Sequence, residues 1–343
     1  MSTSSVEQSS EQDRAASEQD ASRPLEDGGR MRAAIIVNPY SSGMTSRRER
    51  EIVKTLRETM DVEVRRTERG GHAPQLAREM IESGRVDVMI ACGGDGTANE
   101  VLNGMSLGDN TADERPMFAI IPAGGTNVLA RSLGFPNHPI RATSTLAKAI
   151  VERRTLRINL ATVDERVFMF AAGVGVDAEV VKRIEQRRSG RRPSDFAHLA
   201  TAVGIYATSR WSLGDSMTVK VDGSDEELRS ALVLVGNTTP MTYMGKIPIH
   251  FMPKCRLEGG IDFIAPHRAS AWFAIRNAAQ AIGLGRANAR LVSDEKVQRY
   301  HDVRGLSVTC DEPQPVQVDG EFIGDRTHIR FGLLEAPVDL VVP

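Results

Sequence analysis

From Met31 to Ile121 the chain alternates two hydrophobic periods, and that alternation restricts the fold more than any other property of the sequence. Ala33–Val37 is a continuous apolar run, the pattern of a strand covered on both faces. Ile52, Val53, Leu56 and Met60 then recur at helical spacing, behind Ser46 and Glu49 at the separation of a capping box. Val62 and Val64 alternate within Asp61–Arg66, a second strand, and Leu76, Ala77, Met80 and Ile81 mark a second helix that stops near Gly84. Val86–Ala91 and Met117–Ile121 read as the third and fourth strands, each followed by a glycine-bearing turn and a further helical stretch. A β-α-β-α order of this kind predicts an open parallel sheet with helices on its faces.

Beyond about Arg154 the texture changes. Short strand-like runs at Leu156–Val163, Val167–Ala171, Met217–Val221, Leu228–Val235, Gly260–Ala265, Leu306–Cys310 and Pro315–Val318 are separated by Gly, Asp and Pro clusters, with helical stretches near 177–188, 194–209 and 270–284. This predicts a mainly β second domain, a sandwich or barrel. The fold class is thus α/β plus β. Residues 31–154 form the α/β domain and 155–343 the β-rich one, with a return of the final segment to the first domain left open.

Residues 1–30 hold seven acidic residues against three arginines and almost no large apolar side chains. They cannot bury enough surface to offset the entropy of ordering, so a disordered tail is expected, and it lacks the apolar core of a signal peptide. The rest of the chain is close to neutral, which gives no global attraction to nucleic acid. No apolar run approaches the roughly 20 residues that span a bilayer. Cys92, Cys255 and Cys310 are odd in number and widely spaced, which suits free thiols in a reducing cytosol, and the seven histidines form no zinc-type pair. The reading is a cytoplasmic protein.

The segment Cys92-Gly93-Gly94-Asp95-Gly96-Thr97 closes the third strand. Its small residues allow the main chain to pack around a bulky anion, and the helix that follows adds its positive end. A carboxylate among such glycines would repel a phosphate, so Asp95 makes sense as a Mg²⁺ ligand or proton acceptor; the alternative is a plain glycine turn with a capping Asp. Two further turns, Asn38–Gly43 and Pro122–Asn127, reach the same edge of a parallel sheet, and three such loops suit a triphosphate. Neither GxxxxGK[ST] nor GxGxxG occurs, so a different nucleotide-binding design is required.

Taken in order, Asn38-Pro-x-Ser-x-Gly43, Gly93-Gly-Asp-Gly-Thr97 with Ala98-Asn99-Glu100-Val101-Leu102-Asn103-Gly104, Pro122-x-Gly-x-x-Asn127 with Ala130-Arg131-x-Leu133-Gly134, Gly173-Val-Gly-Val-Asp177-Ala178 and Val318-Asp319-Gly320-Glu321 resemble the catalytic domain shared by diacylglycerol and sphingosine kinases. The resemblance runs from about residue 32 to the C-terminus. It implies an ATP-dependent, Mg²⁺-requiring kinase that phosphorylates a lipid hydroxyl, most simply that of diacylglycerol, with the active site between two domains. It places Asn38 and Thr67 in the nucleotide pocket and ATP phosphates on Gly93, Gly94, Asp95, Gly96, Thr97 and Asn99, with the third loop adding Gly124, Gly125 and Thr126. Asp95 would organise Mg²⁺, and Glu321 stands where bacterial members carry the proposed proton acceptor, so either Asp95 or Glu321 is the catalytic base. Read without the resemblance, Asp319-Gly320 is a hairpin signal.

The chain departs from the family pattern at Val128, where Asp is common, at Gly125, where Thr is common, and at Glu258-Gly259-Gly260, where Asp-Asp-Gly is usual. The last change removes a carboxylate from the place of a structural Mg²⁺ in relatives. Asp177 follows a strand and two glycines and either binds a polar substrate head or caps a helix. The basic run Lys182, Arg183, Arg187, Arg188, Arg191 and Arg192 is either a solvated face or a rest for anionic headgroups, and the apolar stretch 271–284 either a buried helix or a membrane-dipping element. Transient membrane contact and an oligomer stay open. The competing functions are an NAD kinase, which shares the Gly-Gly-Asp-Gly-Thr loop, and a catalytically silent nucleotide- or lipid-binding regulator.

Overall fold

The computed structural model describes residues 29–84, 86–106, 115–186, 215–268 and 299–343. Nearly all of the acidic tail, the stretches 194–209 and 270–284 read as helical, and Arg187, Arg188, Arg191 and Arg192 lie outside the described residues.

The first sheet grows from the strands expected of it. β1 (Arg32–Val37), β2 (Asp61–Arg66), β3 (Val88–Gly93) and β4 (Met117–Pro122) lie in the order β2-β1-β3-β4, all parallel. Ile35, Ile36, Val37, Met89 and Ile90 are fully buried, because helices cover both faces. Each such side chain contributes about 1.5–3 kcal/mol. The helices are α1 (Ser46–Arg57), α2 (Ala73–Glu82), α3 (Asp95–Ser106), the short α4 (Val128–Ser132) and α5 (Pro139–Val151). Two later strands complete the sheet. The last strand, β18 (Val338–Val341), pairs parallel with β4, and β5 (Thr155–Ile158) pairs antiparallel with β18.

Local details differ from the sequence reading. The cap of α1 is Thr45, not Ser46: its Oγ1 accepts the Arg48 N–H at 3.2 Å. Glu49 turns away from the helix start and accepts from Arg66 Nε on β2 at 2.7 Å. The third strand starts at Val88 rather than Val86, because Asp87 bonds outward to the Arg32 N–H at 2.8 Å.

The second sheet is antiparallel and runs β15-β14-β11-β8-β16-β17-β6-β7, with β9 pairing both β16 and β10. Its strands are β6 (Ala161–Val163), β7 (Arg166–Phe168), β8 (Ala171–Val174), β9 (Met217–Val221), β10 (Glu227–Ser230), β11 (Val233–Gly236), β14 (Ile261–Ile264), β15 (Arg299–Val303), β16 (Leu306–Val318) and β17 (Glu321–Leu333). Side chains from β6 to β17, among them Phe168, Val233, Phe263, Val316 and Phe331, meet in one apolar core. Helix α6 (Val176–Gln186) follows β8, and β12 (Thr242–Met244) with β13 (Ile247–Ile249) forms a separate two-stranded arm.

Several apolar runs read as single strands are two. Leu156–Val163 divides at Asn159 and Leu160 between the two sheets, Val167–Ala171 divides between β7 and β8, and Leu228–Val235 between β10 and β11. Conversely, Leu306–Cys310 and Pro315–Val318 are one strand, irregular between Thr309 and Gln314, whose first half pairs with β9 and second half with β8. Apolar periodicity reports burial and not the identity of the neighbour, so these junctions are invisible to it.

Helices α2 and α3 touch where Gly104 meets the start of α2. A Cβ on Gly104 would stand 2.4 Å from the Pro74 carbonyl oxygen and 2.8 Å from the Ala77 Cβ. Gly104→Ala should therefore destabilise the protein by about 1–3 kcal/mol, against a helix-propensity gain of about 1 kcal/mol. A thermal melt is expected to show a net fall in Tm, and a rise would contradict this account of the helix contact.

Candidate active site

β1, β3 and β4 end at one edge of the first sheet, and their turns are bonded to one another by main chain. The Asn38 N–H donates to Cys92 O at 2.9 Å, Ala123 N–H to Gly93 O at 2.7 Å, and Gly43 N–H to Ala123 O at 2.8 Å. At the end of β2 the Thr67 N–H donates to Val37 O at 2.9 Å, which places this buried residue beside Asn38. Glycine is required where the turns meet. A Cβ on Gly124 would lie 2.5 Å from the Gly94 Cα, and one on Gly43 would lie 2.9 Å from Ala123 O. Gly96 and Gly125 are exposed at this edge, and Thr126 is half-buried.

Side chains then fix the turns. Asn38 Nδ2 donates to Thr97 Oγ1 at 3.1 Å. Asn127 adopts a left-handed conformation (φ 50°), tolerable for Asn, and closes its own turn by accepting the Gly124 N–H at 2.8 Å. Asp95 opens α3, and its carboxylate accepts from Val128 N–H at 3.0 Å and Leu129 N–H at 3.3 Å in the first turn of α4. Val128, one of the departures from the family pattern, is itself buried.

The second sheet contributes the β16–β17 turn. Asp319 (φ 49°) and Gly320 (φ 82°) are both left-handed, the geometry of a type I′ hairpin. The Asp319 carboxylate accepts the N–H groups of Met169 and Phe170, both at 2.8 Å, and of Ala171 at 3.1 Å. It also accepts from Asn99 Nδ2 of α3 at 2.9 Å. The Asn99 amide is fully engaged on this side: Nδ2 also donates to Val167 O at 3.0 Å, and Oδ1 accepts from Asn103 Nδ2 at 3.0 Å. Asn103 Oδ1 accepts the Val167 N–H at 2.9 Å. Sequence reasoning placed Asn99 on the phosphates and treated Asp319 only as a turn former. The Asn99-to-Asp319 contact spans 220 positions and left no local signal.

Glu321 is exposed and paired with Arg166 on β7. The pair lines an open cavity of about 640 Å³ with Asp164, Phe322, Ile323 and Arg326. Asp177 lies in the first turn of α6, where Gln317 Nε2 donates to it at 2.7 Å and burial raises its pKa. Gln317 Oε1 accepts the Gly320 N–H at 2.9 Å, so Asp177 supports the hairpin from behind. Lys182 pairs with Asp325 and Arg183 with Glu179.

The three cysteines are buried and free, and burial pushes their thiols up, Cys255 to about 12 and Cys310 to about 11, so none supplies a thiolate near neutrality. Among the described residues no group of three or more His, Cys, Asp or Glu could hold a metal ion. At the departure in the second sheet, the carbonyls of Glu258 and Gly259 accept from Asn159 Nδ2 and the Gly260 N–H donates to Asp302, so that loop is closed by protein groups and does not fit a structural Mg²⁺. At the glycine turns the single carboxylate of Asp95 fits Mg²⁺ carried by a nucleotide, since this cation keeps waters and phosphate oxygens and needs only one or two protein carboxylates.

The parallel strands of the first sheet end in glycine turns at one edge, and the antiparallel sheet brings a hairpin to the first helix after those turns. Residues 32–163 match the family model described as the diacylglycerol kinase catalytic domain. A diacylglycerol kinase of Staphylococcus aureus (strain JH9) is 26% identical over 325 residues, covering 92% of this chain and 93% of its own. The crystal structure of a diacylglycerol kinase from Bacillus anthracis superposes with a TM-score of 0.67 at 21% identity, over 93% of this chain and 99% of its own. A second structure from that organism gives 0.69 at 22% identity over the same shares. Residues 32–163 are thus similar to a diacylglycerol kinase catalytic domain, and the chain is similar along most of its length to lipid kinases of that kind.

Burial and, to a smaller extent, the charge of Asp95 push Asp319 up to about 6, against the three amides that favour its charged form. An unfolded Asp titrates near 3.9. The folded state therefore holds this proton more tightly, and the stability it contributes is full below about 3.9 and lost as pH rises through about 6. Carbon-detected titration of the Asp319 carboxyl should show a midpoint near 6, lowered in Asp95→Asn. A midpoint below that of a free Asp would mean that the amides outweigh burial.

Proposed function

We propose that this chain transfers the γ-phosphoryl group of MgATP to the free hydroxyl of diacylglycerol, forming phosphatidic acid and ADP. The observation that carries the reading is the meeting of three glycine turns at one sheet edge, with the 318–321 hairpin bonded to the helix that follows them. The names of the Staphylococcus aureus relatives support the acceptor.

In this reading the first sheet, residues 31–158 with the returning strand β18, is the nucleotide domain, and 161–333 is the acceptor domain. Asn38 and Thr67 line the nucleotide pocket. Gly93, Gly94, Gly96 and Thr97, with Gly125 and Thr126 opposite, present main-chain N–H groups and hydroxyls to the phosphates, Gly124 keeps the turns in contact, and the positive end of α3 lies behind them. Asp95 would hold Mg²⁺, which supplies charge neutralisation on the phosphates when bound. The polar end of the acceptor occupies the cavity beside Glu321, and Asp177 supports the hairpin that forms its wall. The acceptor oxygen bonds to the γ-phosphorus as the bond to the β-phosphate oxygen breaks. Glu321 takes the hydroxyl proton, leaving Arg166 to hold the carboxylate in place before transfer. Acceptor delivery from a membrane needs only transient surface contact, and no helix among the described residues is long and apolar enough to cross one.

The direct test is incubation with γ-labelled ATP, Mg²⁺ and a total lipid extract, with NAD as a parallel acceptor. Labelled phosphatidic acid is expected, and label in NADP or in no product overturns the reading. Asp95→Asn keeps one oxygen for the α4 amides, turns its NH₂ toward the other N–H and removes the charge, so transfer should be lost while a thermal melt shows the protein still folded, with a modest fall in Tm. Glu321→Gln should lower kcat by about 10²–10⁴-fold with ATP affinity retained. Collapse of ATP affinity with kcat preserved would make Glu321 a nucleotide or metal contact.

A further inference from the structure

We propose that Asp319 is a positioning residue that, with Asn99, locks the acceptor-side hairpin to the glycine-loop helix and so sets where the acceptor hydroxyl stands relative to the phosphates. The proposal rests on the kinase reading above for its functional consequence, but the lock itself is a matter of geometry.

The Asp319 carboxylate receives four N–H donors. Three come from the consecutive residues Met169, Phe170 and Ala171, and the fourth crosses from Asn99 on α3. An ionised carboxylate offers about four acceptor positions, so Asp319 has none left for a substrate hydroxyl. That separates it from Glu321, two residues on, which faces the open cavity. The Asp319 N–H also donates to Ala171 O at 2.8 Å, which ties the hairpin tip to the β7–β8 turn from both main chain and side chain.

The link continues into the first sheet. Asn99 stands one helical turn after Asp95, on the same face of α3. Asp95 in turn holds the N-terminus of α4, the helix that follows the 122–127 turn. The acceptor hairpin is therefore tied to Asn99, Asn99 is joined to Asp95 by one turn of α3, and Asp95 is bonded to the helix after the 122–127 turn. Asn103 doubles the attachment by bonding both polar groups of Val167. A neutral amide cannot replace Asp319, because in either orientation its NH₂ would face N–H donors.

The test is a double-mutant cycle with Asn99→Ala, Asp319→Ala and both, assayed with diacylglycerol in mixed micelles and with nucleotide titrations for ATP affinity. Misplacement of about 1 Å can cost about 10²-fold in rate. Each single variant should therefore lower kcat by up to about that factor, with KM and Kd for ATP nearly unchanged. The double variant should be no worse than the poorer single, because both break one link. Asn99→Ala leaves the three main-chain bonds of Asp319 in place and serves if Asp319→Ala fails to fold. Losses that multiply, an unchanged kcat in Asn99→Ala, or a large rise in the ATP Kd of that variant each overturn the proposal, the last by making Asn99 a nucleotide ligand. If the wild-type protein transfers no phosphate, the kinase reading fails, and hydrogen exchange then decides the lock. Asn99→Ala should speed exchange in 95–106 and 166–171 together, and a change confined to one segment overturns the lock.

Discussion

The contact between the Gly94 and Gly124 backbones governs the arrangement of everything at the working edge. With no side chain between them, the turns after β3 and β4 touch directly, and a Cβ on Gly124 would stand 2.5 Å from the opposite Cα. That closeness lets Ala123 bond back to Gly93 and lets Gly43 bond to Ala123, so that three turns become one surface. It also brings Asp95 within reach of the α4 amides. Parting the turns by a single methyl would separate the carboxylate from the helix it holds. The absence of a side chain is what lets the turns touch, which is the physical meaning of glycine at Gly94 and Gly124.

The two halves of the molecule are joined differently from the way each is held. The first sheet is buried on both faces, and the second encloses one apolar cluster. The seam between them at α3 is polar, made of Asn99, Asn103, Asp319 and the main chain of Val167. A second seam lies at α4, where the Arg131 guanidinium rests 3.6 Å from the Tyr243 ring centroid and Arg131 Nη2 donates to Gly245 O at 3.1 Å on the β12–β13 arm. Hydrogen bonds of this kind contribute about 0.5–1.5 kcal/mol each. Such a seam specifies orientation strongly through direction while adding little to overall stability. Both seams grip helices that begin directly after glycine turns, so the second sheet is held to the first next to those turns.

Strand β18 shows how far the chain travels to finish its first sheet. It returns after the whole second sheet and inserts between β4 and β5. The first half of the chain therefore cannot complete its own sheet edge, and the two sheets depend on each other for closure even though their cores are separate.

The sequence by itself determined the parallel first sheet, the change to a β-rich second half, the three glycine turns and the family resemblance, because each is written in local period or in a contiguous block. Tertiary structure alone decided that the chain changes sheets at Asn159, that Thr45 and not Ser46 caps α1, and that Glu49 serves Arg66 instead of a capping box. The same holds for the candidate site. Asp95 stood out among glycines, whereas Asp319 looked like any Asp of an Asp-Gly turn, since its partners Asn99 and Met169–Ala171 are 220 and about 150 positions away. Apolar periodicity records how much water a residue loses, which is a property of one segment. Which carboxylate meets which amide depends on direction and distance between segments, and only the folded chain supplies both.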